Sequence, residues 1–270
     1  MIKTWVGRNG VWGLALLLSS NASVCLAGGE WLGVFERTNT CSGVQPEQNG
    51  YEWRSDAQSF ELAVHQRWAA GFDLADVSYG KGIWFGVFAP SACGGNGYER
   101  RSSLAEFETA IAERWKRGWD LVDVAFGEGQ WCGIFATRHT GKSGFEFRNT
   151  LAEFDLAIAE RWKRGWHLTG VACGGGTWFG VFATCQPGSN GVELRPHLRE
   201  FDLAIRARWR SGWQLTEVAG GEGAWLGIFT TGKPCTATGI ECRDHLASFE
   251  EVIRCRWRDG WILTSVQPPF

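Results

Sequence analysis

Five arginine–tryptophan pairs, ending at Trp68, Trp115, Trp162, Trp209 and Trp257, recur at intervals of 47, 47, 47 and 48 residues. A period of this length confines the chain to repeat architectures, in which each copy buries its apolar face only against its neighbours. Two further series share the period. Trp31, Trp84, Trp131, Trp178 and Trp225 open the run W-x-G-(V/I)-F, and Glu52, Glu99, Glu146, Glu193 and Glu241 each precede an arginine by two residues. Stacked, the copies give one unit: G-x-E-x-R, then F-x-x-A-(I/V)-x-x-R-W-x-x-G-(W/F), then L-x-x-V, then G-x-G-x-W-x-G-(V/I)-F, with Val252 replacing the alanine in the fifth copy. The 17 tryptophans and 37 glycines follow from this repetition.

Spacing assigns the elements. Phe107, Ala110, Ile111, Arg114 and Trp115 form one helical stripe. Ser103 or Thr150 with a glutamate three residues on is a capping box, and Gly118 or Gly165 stands at the C′ position. Trp119 to Phe126 and Trp131 to Phe135 read as a hairpin turned at Gly127-Glu128-Gly129, the second strand being apolar on both faces. The glycine between its Trp and Phe is expected to leave bare backbone for the indole to cross.

The expected fold is an α+β repeat protein of five strand–helix–strand–strand units. Trp31 to Phe35 is a last strand with nothing before it, and the chain ends at Ile262 to Val266, just short of that strand. Residues 31–35 are therefore expected to complete the last unit. Because the end copies are as apolar as the middle ones, whereas open solenoids carry polar caps, closure into a ring or barrel is expected over an open stack. On the spaced helix Phe, the G-(W/F)-x-L-x-x-V strand and the aromatic–aliphatic strand after it, Trp31 to Val266 resembles bacterial tandem-repeat domains. It is similar also to the N-terminal repeat domain of fungal polyglycine hydrolases and to the C-terminal repeats of plant casein-kinase-like kinases. The resemblance carries no defined chemistry, and the serine-nucleophile domain of the hydrolases has no counterpart here.

Lys3, Arg8, the apolar run Val11 to Leu18 and small residues before Gly28 read as a signal peptide over 1–27, leaving 28–270 as one repeat domain. Localisation is thus expected to be secreted or periplasmic, with no membrane span after signal removal. Without Lys3 and Arg8 the net charge falls from −2 to −4, which gives no reason to expect a nucleic-acid partner. The eight remaining cysteines favour disulfides over metal. Cys41, Cys93, Cys185 and Cys235 fall in one inter-repeat loop of different copies. Cys235 and Cys242, flanking a segment read as a tight turn, are expected to bridge, and Cys41 and Cys93 are further candidates.

The candidate binding residues are the five pairs Glu52/Arg54, Glu99/Arg101, Glu146/Arg148, Glu193/Arg195 and Glu241/Arg243. The i, i+2 spacing puts both side chains on one strand face. They read either as a ring facing a central channel or as a structural ladder, with each Glu pairing to an arginine such as Arg67, Arg114, Arg161, Arg208 or Arg256. The ladder is the preferred reading, since one site does not need five copies. The strand tryptophans read as core, whereas Phe72, Trp119, Trp166, Trp213 and Trp261 read as nearer the surface. His197 and His245 occupy helix starts. No catalytic, metal or cofactor constellation stands out. The functional expectation is an exported, non-enzymatic binding or structural module for a glycan, another extracellular polymer or a protein. The rival readings are a hydrolase with a site on one atypical repeat, and an inhibitor of an exported enzyme.

Overall fold

A computed structural model describes residues 30–37, 49–91, 94–137, 141–232 and 237–270. Residues 1–27, read above as a signal peptide, lie outside the described residues. After β1 (Trp31–Arg37) come β2 (Gly50–Arg54), α1 (Ala57–Ala69), β3 (Phe72–Gly80) and β4 (Ile83–Pro90), and the pattern then repeats. The second unit is β5 (Asn96–Arg101), α2 (Leu104–Lys116), β6 (Asp120–Gly127) and β7 (Gln130–Ala136). The third is β8 (Ser143–Arg148), α3 (Leu151–Lys163), β9 (His167–Gly174) and β10 (Thr177–Ala183). The fourth is β11 (Asn190–Arg195), α4 (Leu198–Arg210), β12 (Gln214–Gly221) and β13 (Ala224–Thr230). The fifth, β14 (Ala237–Arg243), α5 (Leu246–Arg258) and β15 (Trp261–Gln267), borrows β1 as its middle strand. Gly33 pairs with Val266 and Glu241, which places residues 31–35 where the split copy requires them.

Each unit contributes one antiparallel three-stranded sheet with the W-x-G strand in the middle. Strand-ladder pairing stops at the sheet boundary, so the strands form five separate sheets and not the single barrel that closure suggested. The third strands meet edge to edge through side chains: β3 lies against β6, β6 against β9, β9 against β12, β12 against β15, and β15 against β3. Their ladders are bent by bulges, as between Leu74 and Asp76. Inward-pointing acids also occupy these edges, a device that keeps strands from fusing. The Val77 amide donates to the Asp123 carboxylate at 3.0 Å, and the Val266 amide to Asp76 at 3.2 Å.

Helix boundaries follow local chemistry. Ser103 and Glu106 form the full capping box, Thr150 and Asp56 each accept one backbone N–H, and His197 and His245 stand at N-cap positions without a side-chain cap bond. Gly118 and its equivalents end the helices at positive φ, 77° at Gly118. The buried stripe seats Phe60, Phe107, Phe154, Phe201 and Phe249 with no surface exposed. Their rings, not the indoles, lie over the strand glycines. A Cβ at Gly133 would sit 2.8 Å from both the Phe107 ring and Leu121. The indole instead stacks beside the ring, at 6.0 Å for Phe154 and Trp178. Glycine is required here so that a helix aromatic can touch the sheet, and that contact closes each core.

Neighbouring units are latched by an asparagine at the start of the outer strand. Asn96 accepts from the Trp68 indole at 2.7 Å and the Leu74 amide at 2.9 Å, and donates to the Leu74 carbonyl at 3.0 Å. Asn190 does the same for Trp162 and Leu168. Asn49 repeats it between the first and fifth units, on Trp257 and Leu263.

Candidate functional site

The five Glu/Arg pairs stand on the outer strands β2, β5, β8, β11 and β14, away from the junction of the third strands. Each glutamate is clamped within its own unit by two guanidinia. Glu99 accepts from Arg114 Nε at 2.9 Å and Nη2 at 2.7 Å, while Arg101 reaches its other oxygen at 2.7 Å. Glu52, Glu146, Glu193 and Glu241 take the same two partners in their units: Arg67 with Arg54, Arg161 with Arg148, Arg208 with Arg195, and Arg256 with Arg243. The helix arginine also lies on two rings, Arg114 being 5.0 Å from Trp119 and 5.4 Å from Phe135. Trp119 and its equivalents Phe72, Trp166, Trp213 and Trp261 are only partly buried, and each supports this cation. The arrangement is a ladder that neutralises an arginine set in an apolar stripe.

Charged clefts border the triads of the second and third units. In the second unit one of about 590 Å³ is lined by Arg101, Glu106, Thr109, Ala110 and Glu113 with Arg100 and Gln130. In the third, one of about 340 Å³ is lined by Arg148, Glu153, Leu156, Ala157 and Glu160 with Glu146 and Arg161. The first five residues of each set occupy equivalent repeat positions. Arginines and carboxylates facing open space present donors and acceptors side by side, a surface that suits ligands rich in hydroxyls.

The structure adds a cluster that the sequence reading did not find. The second x of L-x-x-V is Asp76, Asp123, Gly170, Glu217 and Ser265 in successive units, and these positions meet where the third strands converge. Asp76 and Asp123 are buried. Glu217 keeps some surface and lines a narrow cavity of about 30 Å³ with residues of the other third strands. Burial raises the Asp123 carboxyl from its ordinary value of 3.8 to about 7. It holds Asp76 and Glu217 well above theirs as well, with the Asp123 charge adding to the effect at both and the Asp76 charge adding to it at Glu217. Glu217 accepts from the Ser265 hydroxyl at 2.9 Å. The signal was present in the sequence as one strand position that varies among Asp, Gly, Glu and Ser within the fixed Leu and Val of L-x-x-V. Among the described residues no group of three His, Cys, Asp or Glu is arranged to hold a metal ion.

Four of the five described cysteines depart from the expectation of a disulfide framework. Cys132, Cys173, Cys185 and Cys255 are free. Cys132 and Cys173 are tucked against neighbouring strands, where burial raises the Cys173 thiol to about 12. Of the segment between Cys235 and Cys242 read as a tight turn, the part from Ala237 onward belongs to strand β14. Cys41, Cys93 and Cys235 lie outside the described residues. Cys242 is disulfide-bonded, and no disulfide joins two described cysteines. Among the described residues no helix is long and apolar enough to cross a membrane.

Comparison with family models, characterised proteins and solved structures gives no match for this chain.

Proposed function

We propose that the chain is an exported, non-enzymatic module that binds a hydroxyl-rich extracellular polymer such as a glycan, its five units closed into a ring. The observation that carries the reading is the recurrence of one charged cleft at equivalent positions of the second and third units. Repeated shallow sites on one rigid body suit a repeating ligand, because several weak contacts multiply into useful avidity without any new interaction. Closure is supported by the Asn49 latch, which joins the first and fifth units with the same bonds that join consecutive ones. Retention of the purified chain on a panel of immobilised polysaccharides tests the proposal. Arg101→Ala and Arg148→Ala are each expected to weaken retention severalfold, and the pair more than either alone. Retention on no polymer, or retention indifferent to both changes, sinks it.

The hydrolase reading has one observation in its favour: the acids Asp76, Asp123 and Glu217 gather where the repeats diverge. Turnover of a substrate that is lost in Glu217→Gln would replace the binding module with an enzyme.

A further inference from the structure

Between α3 and β11 lies a cavity of about 360 Å³, walled by Trp162, Phe154 and Asp155 on one side and Val192, Leu194 and Leu226 on the other. Its origin is a difference between repeats. The position of Val192 in G-x-E-x-R is Tyr51, Tyr98 and Phe145 in the first three units, and Ile240 in the fifth. The position of Leu226 in the middle strand is Phe85 in the first unit and Phe179 in the third.

Where the aromatic is present it fills the junction with the preceding helix. Phe145 stacks on Trp115 at 5.6 Å and on Phe179 at 5.2 Å. Tyr51 packs against Trp257 at 5.7 Å and Phe85 at 5.4 Å, and Tyr98 meets Phe60 at 6.2 Å. Trp162 is the equivalent of Trp115 and Trp257, but faces the aliphatic Val192, Leu194 and Leu226 across open space. The polar end of the ring is also specified. Tyr51 donates its hydroxyl to Glu250 at 3.0 Å, and Trp53 donates its indole N–H to the same carboxylate at 3.1 Å. Asp155, the residue after the helix Phe as Glu250 is, lines the cavity at the corresponding place.

We propose that this cavity is a binding site for a small planar aromatic carrying one hydrogen-bond donor, a phenol or an indole. The ring stacks on Trp162 in the space the chain's own Tyr or Phe fills elsewhere, and its O–H or N–H donates to Asp155. The size suits one or two fused rings, since apolar cavities of about 150 Å³ already take benzene. Aromatic stacking in a largely apolar pocket with one fixed acceptor gives both affinity and orientation. The site is separate from the charged clefts, so its failure leaves the polymer reading untouched.

The full chain is titrated calorimetrically with p-cresol, indole and toluene, and with the peptide Gly-Tyr-Gly. Saturable binding of p-cresol or indole, weakened about tenfold or more by Val192→Phe, is the expected result. Val192→Phe restores the side chain found at Phe145, so its melting temperature should match or exceed the parent's. If that variant does not fold, Leu194→Phe, as at Phe147, serves in its place. Asp155→Asn should weaken p-cresol while leaving toluene unchanged. No saturable binding of either probe, or full binding in the filled variant, overturns the proposal. Tighter binding of Gly-Tyr-Gly than of p-cresol also overturns it, by assigning the pocket to a tyrosyl side chain of a partner polypeptide.

Discussion

Asn49 accepts a 2.9 Å hydrogen bond from the indole of Trp257, a residue 208 positions later in the chain. The same bond recurs at Asn96 with Trp68 and at Asn190 with Trp162. At the two remaining junctions the asparagine is replaced by Ser143 and Thr238, and there the indole nitrogens of Trp115 and Trp209 are buried without a partner.

That contrast predicts a stabilising change. Ser143→Asn should supply the missing acceptor to Trp115 and raise stability by about 0.5–1.5 kcal/mol, the usual net worth of a hydrogen bond. For a domain of this size the melting temperature should rise by about 2–4 °C per kcal/mol. Asn96→Ala should act oppositely, costing about 1–3 kcal/mol by stranding the Trp68 indole and the Leu74 amide. Calorimetric melts of the two variants check both, and a Ser143→Asn protein that melts lower than the parent contradicts the latch.

Gly133→Ala tests the contact between helix and sheet. A Gly→Ala change at a compatible site stabilises by restricting the unfolded chain. Here the added methyl meets Phe107 and Leu121, so the sign should reverse and stability should fall by about 1–3 kcal/mol. Urea unfolding measures it. Phe107→Leu in the same background should recover part of the loss.

Acidity should stabilise this protein relative to neutral pH. Burial lifts the Asp123 carboxyl to about 7, so between about pH 4 and 7 the folded chain holds a proton that the unfolded chain has released. The contribution is fully present below the unfolded value near 4 and declines as pH rises towards 7. Asp76 and Glu217 are shifted in the same direction. Asp123→Asn keeps an acceptor for the Val77 amide and removes the titration. It should melt several degrees above the parent at pH 8, with a smaller difference at pH 4. A parent whose stability climbs steadily from pH 4 to 8 would contradict this.

Glu99 bridges two arginines, one of them, Arg114, held over aromatic rings. Glu99→Gln retains the size of the side chain and loses its charge, leaving Arg114 as an uncompensated cation beside Trp119 and Phe135. Because the triad is partly solvated, the expected cost is about 1–2 kcal/mol, below the range for a fully buried pair. A double-mutant cycle of Glu99→Gln with Arg114→Met isolates the coupling, and a coupling near zero would return the pair to the class of ornamental surface bridges.

Sequence alone determined the unit. Period, helix stripe, caps, hairpin turn and the borrowed strand at Trp31 all rest on contacts a few residues apart or on exact repetition, and repetition averages away local ambiguity. The Glu52-type ladder was legible for the same reason, since an arginine inside an apolar helix stripe demands a nearby carboxylate. Tertiary structure decided what the differences between copies do. Asp76, Asp123 and Glu217 look like ordinary strand acids until the third strands converge, burying the two aspartates and leaving Glu217 only partly exposed. Val192 looks like a conservative swap until the facing helix leaves its missing ring as a cavity. Both depend on residues of separate units being placed against one another, and the spacing along any single unit does not encode that distance.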